Sequence, residues 1–308
     1  MGTRGTTRVV YVAGTGRSGS TLLGNALGSL PGALHVGEVK LAMRRGLAED
    51  GFCGCRRPVR ECPVWVPALE RTFGHLPTPA EAAALDRRLT DAVRTRRTAW
   101  WLAGRTSPEV EELVTVFGTL LASLADVAGA EVVVDSSKLA PFGALVARSD
   151  LLDVRPVQLV RDPRAVAWSW QRAQASGQVS GFEEEMERFS PVKSSLMWLE
   201  STASVAALSA RGGRRAHVVR YEDLVDDPAG VLAGVAAFAD LPVPAAGSLV
   251  HADGLHLAPS HAAAGNPNRV RSGPVQLRRD DEWSRRMPAG QRRLVSMITA
   301  PRRRSHGY

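Results

Sequence analysis

The clearest candidate for chemistry is a glycine-rich segment at positions 14–21 (GTGRSGST), between a short apolar run and a helical one. Glycines allow a tight turn that exposes consecutive backbone N–H groups, and the following helix directs its positive end at the same point. The segment therefore predicts an anion-binding loop. Its Gly14-x4-Gly19 spacing is that of the nucleoside-triphosphate P-loop, but Ser20 replaces the lysine expected there, which argues against ordinary ATP or GTP hydrolysis. A cation, Arg17, lies inside the loop instead.

A second set of polar residues, at positions 160–170 (VRDPRAVAWSW), combines an arginine, a helix start and a serine. Asp162 suits the N-cap position and Pro163 the first helical position, so a helix is expected to begin here. Arg161 then lies at the carboxyl end of a strand, where open α/β sheets bind ligands. Ser169, about two turns into the helix, is placed to face the same pocket. A solvated strand-end charge is the alternative for Arg161 alone.

Several strings resemble those of sulfotransferases that use 3′-phosphoadenosine-5′-phosphosulfate (PAPS). RSGSTLL at positions 17–23 is similar to the family's 5′-phosphosulfate loop, in which a Lys or Arg precedes a Ser-Gly-Thr/Ser-Thr run. The family's 3′-phosphate site pairs an Arg at a strand end with a Ser eight residues later, and Arg161 and Ser169 have this spacing. Positions 261–283 resemble the donor-covering segment of bacterial members, where Arg269 is the residue implied to meet a phosphate. The R-K-G-x-x-G segment of the cytosolic animal enzymes is not found, so the likeness is to the bacterial branch.

The resemblance implies an enzyme that transfers a sulfuryl group from PAPS to a hydroxyl of a small molecule, such as a natural product or glycolipid. The other product is 3′-phosphoadenosine-5′-phosphate (PAP). The residues implied to hold the 5′-phosphosulfate are Arg17, Ser18, Gly19, Ser20 and Thr21. Those implied to bind the 3′-phosphate are Arg161, Ser169 and Arg269. Sulfuryl transfer depends on positioning and charge neutralisation, which arginines and amides supply, so no metal is expected.

Catalytic roles are also implied by the resemblance. Lys138 ends the string DSSK, which is similar to strings in bacterial sulfotransferases, and is implied to stabilise the departing PAP together with Arg17. The acceptor hydroxyl needs a base within hydrogen-bond reach, and Glu38 is the candidate, because a glutamate here is the base in the tyrosylprotein branch. His35 and His261 are rival bases. A structural carboxylate paired with a loop arginine is the alternative for Glu38.

The three cysteines, Cys53, Cys55 and Cys62, lie within ten residues. A structural zinc site takes four ligands and typically contains a C-x2–4-C pair, which the C-x-C spacing fits poorly. A disulfide is not expected in a reducing cytosol. The sequence therefore predicts no metal site and leaves these cysteines structural or unexplained.

The chain alternates β-rich and helical runs. The predicted strands are at positions 8–13, 131–135, 156–161 and 217–221, and the helices that follow them are at 20–30, 136–148, 163–175 and 227–239. This alternation predicts an α/β fold, P-loop-like and three-layered, with a central parallel sheet covered on both faces. We expect a single domain, 1–308, with a helical insertion at 42–128, further helix within 183–210 and a C-terminal loop segment, the donor-covering one, at 251–308.

The composition adds few constraints. The 308 residues carry a formal charge of +8, and 36 of the 39 basic residues are arginines. That bias indicates a GC-rich genome more than nucleic-acid contact, since no nucleic-acid motif is present. No run approaches the roughly 18 apolar residues of a membrane span and no secretory signal is recognised, so a cytoplasmic location is expected.

Two other functions stay open. A P-loop kinase or NTPase would need a lysine after Gly19, which is absent, and an acidic magnesium ligand, a role that Asp135 at a strand end fits. A basic polyanion-binding protein would bind with steep salt dependence. Acceptor-binding residues are expected within 42–128 and 177–194, whereas the acceptor and the oligomeric state are not predicted.

Overall fold

A five-stranded parallel sheet forms the centre of the computed structural model, which describes residues 5–172, 187–211, 213–242 and 249–308. The strand order is β2-β3-β1-β4-β5. The bounds are β1 (Thr7–Gly14), β2 (Ala33–Gly37), β3 (Val132–Lys138), β4 (Leu152–Val160) and β5 (His217–Arg220). The predicted α/β fold with a parallel sheet is confirmed.

One strand, β2, was missed by the sequence analysis. It has five residues, ALHVG, and pairs with β3 only, as an edge strand. So short a run, ending in glycine, carries little strand signal of its own. β4 begins at Leu152, before the predicted start at 156, because its first half mixes polar residues such as Asp153 and Arg155 with apolar ones.

Helices cover the sheet and fill the insertion. In chain order they are α1 (Ser20–Gly28), α2 (Val39–Leu41), α3 (Trp65–Phe73), α4 (Pro79–Ala92), α5 (Thr98–Leu102), α6 (Pro108–Ala128), α7 (Ala140–Val146), α8 (Pro163–Gln171), α9 (Pro191–Arg211), α10 (Tyr221–Asp226), α11 (Pro228–Phe238), α12 (Glu282–Arg286) and α13 (Ala289–Arg303). A π-helical segment, Ala42–Ala48, follows α2. Positions 173–175 and 183–186 of the predicted helices lie outside the described residues. None of the helices within the described ranges is long and apolar enough to cross a membrane.

Alternating side chains of β1 build a core on each face of the sheet. Val9 and Tyr11 belong to the larger core, which also takes in residues of α3, α4, α6 and α7. Val10 and Val12 belong to the other core, with apolar residues of α1 and α11. Burial of successive side chains on opposite faces is what a parallel sheet between two helical layers requires.

The carboxyl end of β3 departs from the prediction in a way that matters for the site. The strand continues through Lys138, and α7 begins only at Ala140, not at 136. Lys138 has a φ of 68°, in the left-handed region that side chains rarely adopt. The polar string DSSK, positions 135–138, therefore lies at the carboxyl end of β3.

The C-terminal segment, predicted as loop, contains regular strands and helices. β6 (Val250–His251), β7 (Gly254–Leu257) and β8 (Gly273–Val275) form a small antiparallel sheet, and α12 and α13 follow. Two- to four-residue strands give almost no periodic signal. From the sequence, the arginines of α13 resemble a basic tail. In the structure, Val295 on the inner face of α13 packs against Met287 and Ala167.

Candidate active site

A cavity of about 500 Å³ opens where β1, β3 and β4 end. We call it the strand-end cavity, and its lining includes Arg17, Glu38, Lys138, Arg161 and Ser169. Ligands bind in open α/β folds at the carboxyl ends of the strands, where this cavity lies. Residues predicted from four separate stretches of sequence are thus brought to one place.

The glycine-rich loop forms one wall of the strand-end cavity. Gly19 precedes α1 with a φ of 91°, and a Cβ there would lie 2.5 Å from the Tyr221 ring, so only glycine fits. The first intrahelical hydrogen bond runs from Leu23 N–H to Gly19 C=O, so α1 itself uses none of the three amides before Leu23. Ser18 is buried, with its hydroxyl 2.7 Å from that of Thr15. This geometry is suited to an anion.

Arg17 brings positive charge to the loop. Its φ is 69°, and its guanidinium carbon lies 4.9 Å from the centre of the Trp170 ring. Burial, followed by the nearby charge of Arg172, lowers the pKa of Arg17. An arginine stays protonated despite such a shift, so the loop concentrates positive potential that an anionic ligand would relieve.

Arg161 and Ser169 form a second polar wall of the cavity. Arg161 is 6% exposed and donates from Nη1 to the carbonyl oxygen of Arg17, 3.0 Å away. Its guanidinium lies 4.5 Å from the centre of the Tyr221 ring. Ser169 is buried on α8. The helix begins as predicted, because Asp162 caps it by accepting a 2.8 Å hydrogen bond from the Arg164 amide.

The sequence analysis gave no role to Asp280, which is the counter-ion of Arg161. Its Oδ2 lies 2.9 Å from Arg161 Nη2 and 2.8 Å from Arg172 Nη2. Burial alone would raise the pKa of Asp280, but the hydrogen bond and charge of Arg161, with those of Arg172, lower it overall. The only sequence signal was its membership of the C-terminal string.

Glu38 and Lys138 form an ion pair in the same cavity. Both side chains are largely buried, at 11% and 20% exposed. The alternative foreseen for Glu38 was a loop arginine, but its partner is the strand-end lysine. The C-terminal segment holds the glutamate's backbone, since Glu38 N–H donates to the carbonyl of Ala264 at 3.0 Å.

Asp135 lies beneath this pair and is fully buried. Its Oδ1 accepts hydrogen bonds from the Ser137 amide at 2.9 Å, the Ser137 hydroxyl at 2.6 Å and the Val39 amide at 3.4 Å. Burial raises the pKa of Asp135 to about 7. Asp135 therefore organises the turn after β3 and is not part of the cavity lining.

The two rival histidines do not line the cavity. His35 is buried between Asn25 Oδ1, 2.8 Å away, and Ser136 Oγ, 3.1 Å away. Burial, with a smaller contribution from Lys138, lowers the pKa of His35 to about 3, so it is neutral at pH 7. The Nδ1 atom of His261 lies 3.3 Å from the sulfur of Cys62, in a separate cluster.

Arg269 is also placed away from the cavity lining. Its guanidinium donates to the backbone carbonyls of Gly265 and Phe52, both at 3.1 Å. It therefore ties the C-terminal segment to the start of the insertion. Arg271 and Arg278, from the same segment, line the cavity instead.

Two solved structures share the fold. The sulfotransferase domain of the Synechococcus PCC 7002 olefin synthase aligns with a TM-score of 0.55 and 20% identity, covering 99% of this chain and 96% of that domain. The sulfotransferase domain from the curacin biosynthetic pathway aligns with a TM-score of 0.51 and 19% identity, covering 96% of this chain and 99% of that domain. At these identities the likeness concerns the fold alone.

Comparison at the level of sequence gives two further results. A search of curated proteins finds no match. The model of the sulfotransferase family matches residues 10–245, which is most of the chain and includes the glycine-rich loop, β3 and α8. The chain therefore belongs to the sulfotransferase family.

Proposed function

We propose that the protein transfers a sulfuryl group from PAPS to a hydroxyl of a small molecule and releases PAP. One observation carries the proposal: a glycine-rich loop with Arg17 and a separate Arg161–Ser169 pair line the same cavity. PAPS is anionic at both the 5′-phosphosulfate and the 3′-phosphate, and adenosine nucleotides without the 3′-phosphate have no use for the second anchor.

The loop suits the 5′-phosphosulfate end of the donor. Amides at the start of α1 add to the positive end of the helix, and Arg17 adds a full charge. When bound, PAPS supplies the sulfuryl group, whose bond to a phosphate oxygen is replaced by a bond to the acceptor oxygen. Arg17 offsets the negative charge that the leaving phosphate gains.

The second anchor suits the 3′-phosphate. Arg161 offers a planar guanidinium, which pairs well with phosphate, and Ser169 offers a hydroxyl. In the structure Asp280 neutralises Arg161, so a bound phosphate would compete with this carboxylate for the same guanidinium. Asp280 therefore acts as an internal counter-ion of Arg161.

Glu38 and Lys138 supply the proton chemistry in this proposal. The ion pair places the Glu38 carboxylate in the cavity, where a carboxylate can accept the proton of the acceptor hydroxyl. Lys138 has a positive charge to place near the bond that breaks. As Lys138 turns toward the leaving phosphate, Glu38 is released to act as the base.

The placement of Asp135 favours sulfuryl transfer over the rival kinase. A kinase would need an acidic magnesium ligand at this strand end. The Oδ1 atom of Asp135 is instead taken up by Ser137 and Val39, and the side chain is fully buried.

The acceptor would enter beside the insertion. Leu41 and Arg45, at its start, line the cavity, whereas positions 177–186 of the second predicted acceptor segment lie outside the described residues. The proposed acceptor is therefore a small hydroxyl compound.

Calorimetric titration of the purified chain with PAP, with adenosine 5′-phosphate and with ATP plus Mg²⁺ tests the function. We expect PAP to bind without added magnesium and more tightly than the other two. Incubation with PAPS and a panel of alcohols and phenols should then release PAP. Tighter binding of ATP with Mg²⁺ than of PAP would instead favour a P-loop kinase.

A further inference from the structure

Four side chains with metal-binding atoms meet outside the strand-end cavity. Cys53, Cys55, Cys62 and His261 each direct one ligand atom to a common point, and all of these atoms lie within 4.8 Å of one another. We call this set the Cys/His cluster. The first three come from the loop before α3, and the fourth comes from the C-terminal segment.

The spacing of these atoms is close to that of a tetrahedral metal site. Zinc–sulfur and zinc–nitrogen bonds of about 2.3 and 2.0 Å place tetrahedral ligand atoms about 3.8 Å apart for two sulfurs and about 3.5 Å for sulfur and nitrogen. The Cys55 and Cys62 sulfurs are 3.8 Å apart. His261 Nδ1 lies 3.3 Å from the Cys62 sulfur and 3.9 Å from the Cys53 sulfur.

We propose that the Cys/His cluster binds a structural Zn²⁺ ion through three thiolates and the imidazole. Thiolate with imidazole is a ligand set that selects zinc, and four protein ligands close the site to substrate. Binding displaces the three thiol protons, and the metal holds His261 through Nδ1. The C-x-C spacing alone predicted no metal site, and the fourth ligand atom, from His261, is distant in sequence.

Backbone amides surround the sulfurs as expected for thiolates. Cys62 accepts hydrogen bonds from the amides of Val64 and Trp65, and Cys55 accepts one from Arg57. Such outer hydrogen bonds orient metal ligands and stabilise their charge. Arg56, between Cys55 and Cys62, adopts a φ of 66°, a left-handed conformation that turns the chain between these two ligands.

A disulfide explains this arrangement less well than a metal does. Cys53, Cys55 and Cys62 are all free, and an odd number of thiols cannot all be paired. A disulfide would also give no role to His261, whose ring nitrogen faces two of the sulfurs.

The ion would fasten the C-terminal segment to the insertion. Besides the bond from Arg269 to Phe52, two hydrogen bonds next to the cluster join these parts: Gly54 N–H donates to the Ala262 carbonyl at 2.9 Å, and the Trp65 indole donates to the His261 carbonyl at 2.7 Å. Just beyond, Ala264 accepts from the Glu38 amide and Gly265 lines the strand-end cavity. Zinc would thus fix the segment beside the candidate base.

The experiment is elemental analysis of the full chain, purified with its affinity tag removed and without chelators. We expect about one zinc per chain in the wild type, and below about 0.2 in Cys62→Ser and His261→Ala. His256→Ala is the matched control, because His256 is half-buried and pairs with Asp253 outside the cluster, and it should keep the wild-type content.

If a variant fails to fold, metal and thiol measurements on the wild-type chain still test the proposal. Co²⁺ exchanged into the wild-type chain should give the intense visible absorption of tetrahedral cobalt thiolate. Absence of zinc, no uptake of Zn²⁺ on dialysis and three thiols titrated in the native chain would overturn the proposal. A single titratable thiol in the denatured, chelator-treated chain without reductant would also overturn it, in favour of a disulfide.

Discussion

The strand-end cavity and the Cys/His cluster differ in how their residues lie along the chain. Two walls of the cavity come from contiguous strings at strand ends, 14–21 and 160–170. The cluster joins Cys62 to a histidine 199 positions away. Local strings can be read from a sequence, whereas a ligand delivered by tertiary packing has no local signal.

The two sites also differ in buried charge and in backbone strain. Arg17 and Lys138 line the cavity with left-handed backbone, and Arg161 is a buried cation that a carboxylate neutralises. Such strain costs stability and is typical of functional sites. The cluster instead joins two segments. Variants in the cavity should change binding or turnover with little effect on unfolding, and variants in the cluster should do the reverse.

The largest effect is expected for Glu38→Gln, which removes the proposed base. PAP release from PAPS with an accepted alcohol or phenol should slow by about 100-fold or more. The thermal midpoint should move by less than about 3 °C, because the amide keeps the shape of the side chain and Lys138 lines a cavity where water can solvate its charge. Glu112→Gln, an exposed glutamate paired with Arg88, is the control. Unchanged turnover would exclude Glu38 as the base.

Cys62→Ser should show the opposite pattern. Loss of a structural metal site is expected to lower the thermal midpoint by about 5–10 °C, measured by calorimetry, and added Zn²⁺ should not restore it. PAP affinity should fall by less than about tenfold, because no cluster residue lines the cavity. A thermal midpoint equal to that of the wild type would mean that the cluster does not stabilise the fold, contrary to the expected difference between the two sites.

The variant Asp280→Asn tests the role of Asp280 as the counter-ion of Arg161. Removing its charge frees Arg161 for a phosphate, so PAP should bind about three- to tenfold more tightly, with a steeper loss of affinity in salt. Calorimetric titration at two ionic strengths measures both effects. Weaker binding would instead mean that Asp280 positions the guanidinium for its ligand.

The smallest effect concerns the pH dependence of stability. Because burial raises the folded-state pKa of Asp135 to about 7 from 3.8, its contribution to stability is full below pH 4 and is lost as the pH rises toward 7. Asp135→Asn keeps an acceptor at Oδ1, and Oδ2 has no hydrogen-bond partner among the described residues. The variant should therefore gain stability relative to the wild type between pH 4 and 7.

His35 opposes this trend, since its folded-state pKa of about 3 contributes stability that is lost as the pH falls below 6.5. The wild-type profile alone would mix the two groups, so urea unfolding of the wild type and the variant should be compared at each pH. Asp150→Asn, at an exposed position, is the control. A constant difference between Asp135→Asn and the wild type across pH 4–7 would contradict the account.

Much of the fold and of the cavity could be predicted because their signals are local. Asp162 and Pro163 mark the start of α8, and the glycines mark the loop before α1. Strand β2, the short C-terminal strands and the pairing of Arg161 with Asp280 depend on contacts between distant segments. Arg269 shows the same limit, since its string resembles a phosphate-binding one while its guanidinium holds backbone carbonyls.

The most direct test of the central claim is whether Arg161 distinguishes a nucleotide with a 3′-phosphate. Calorimetry on the wild type should give PAP an affinity about 100-fold above that of adenosine 5′-phosphate. Arg161→Ala should reduce this ratio to below about 10, whereas Arg285→Ala, an exposed arginine outside the cavity, should leave it unchanged. A wild-type chain that binds both nucleotides equally, or a ratio that survives the loss of Arg161, would contradict the account.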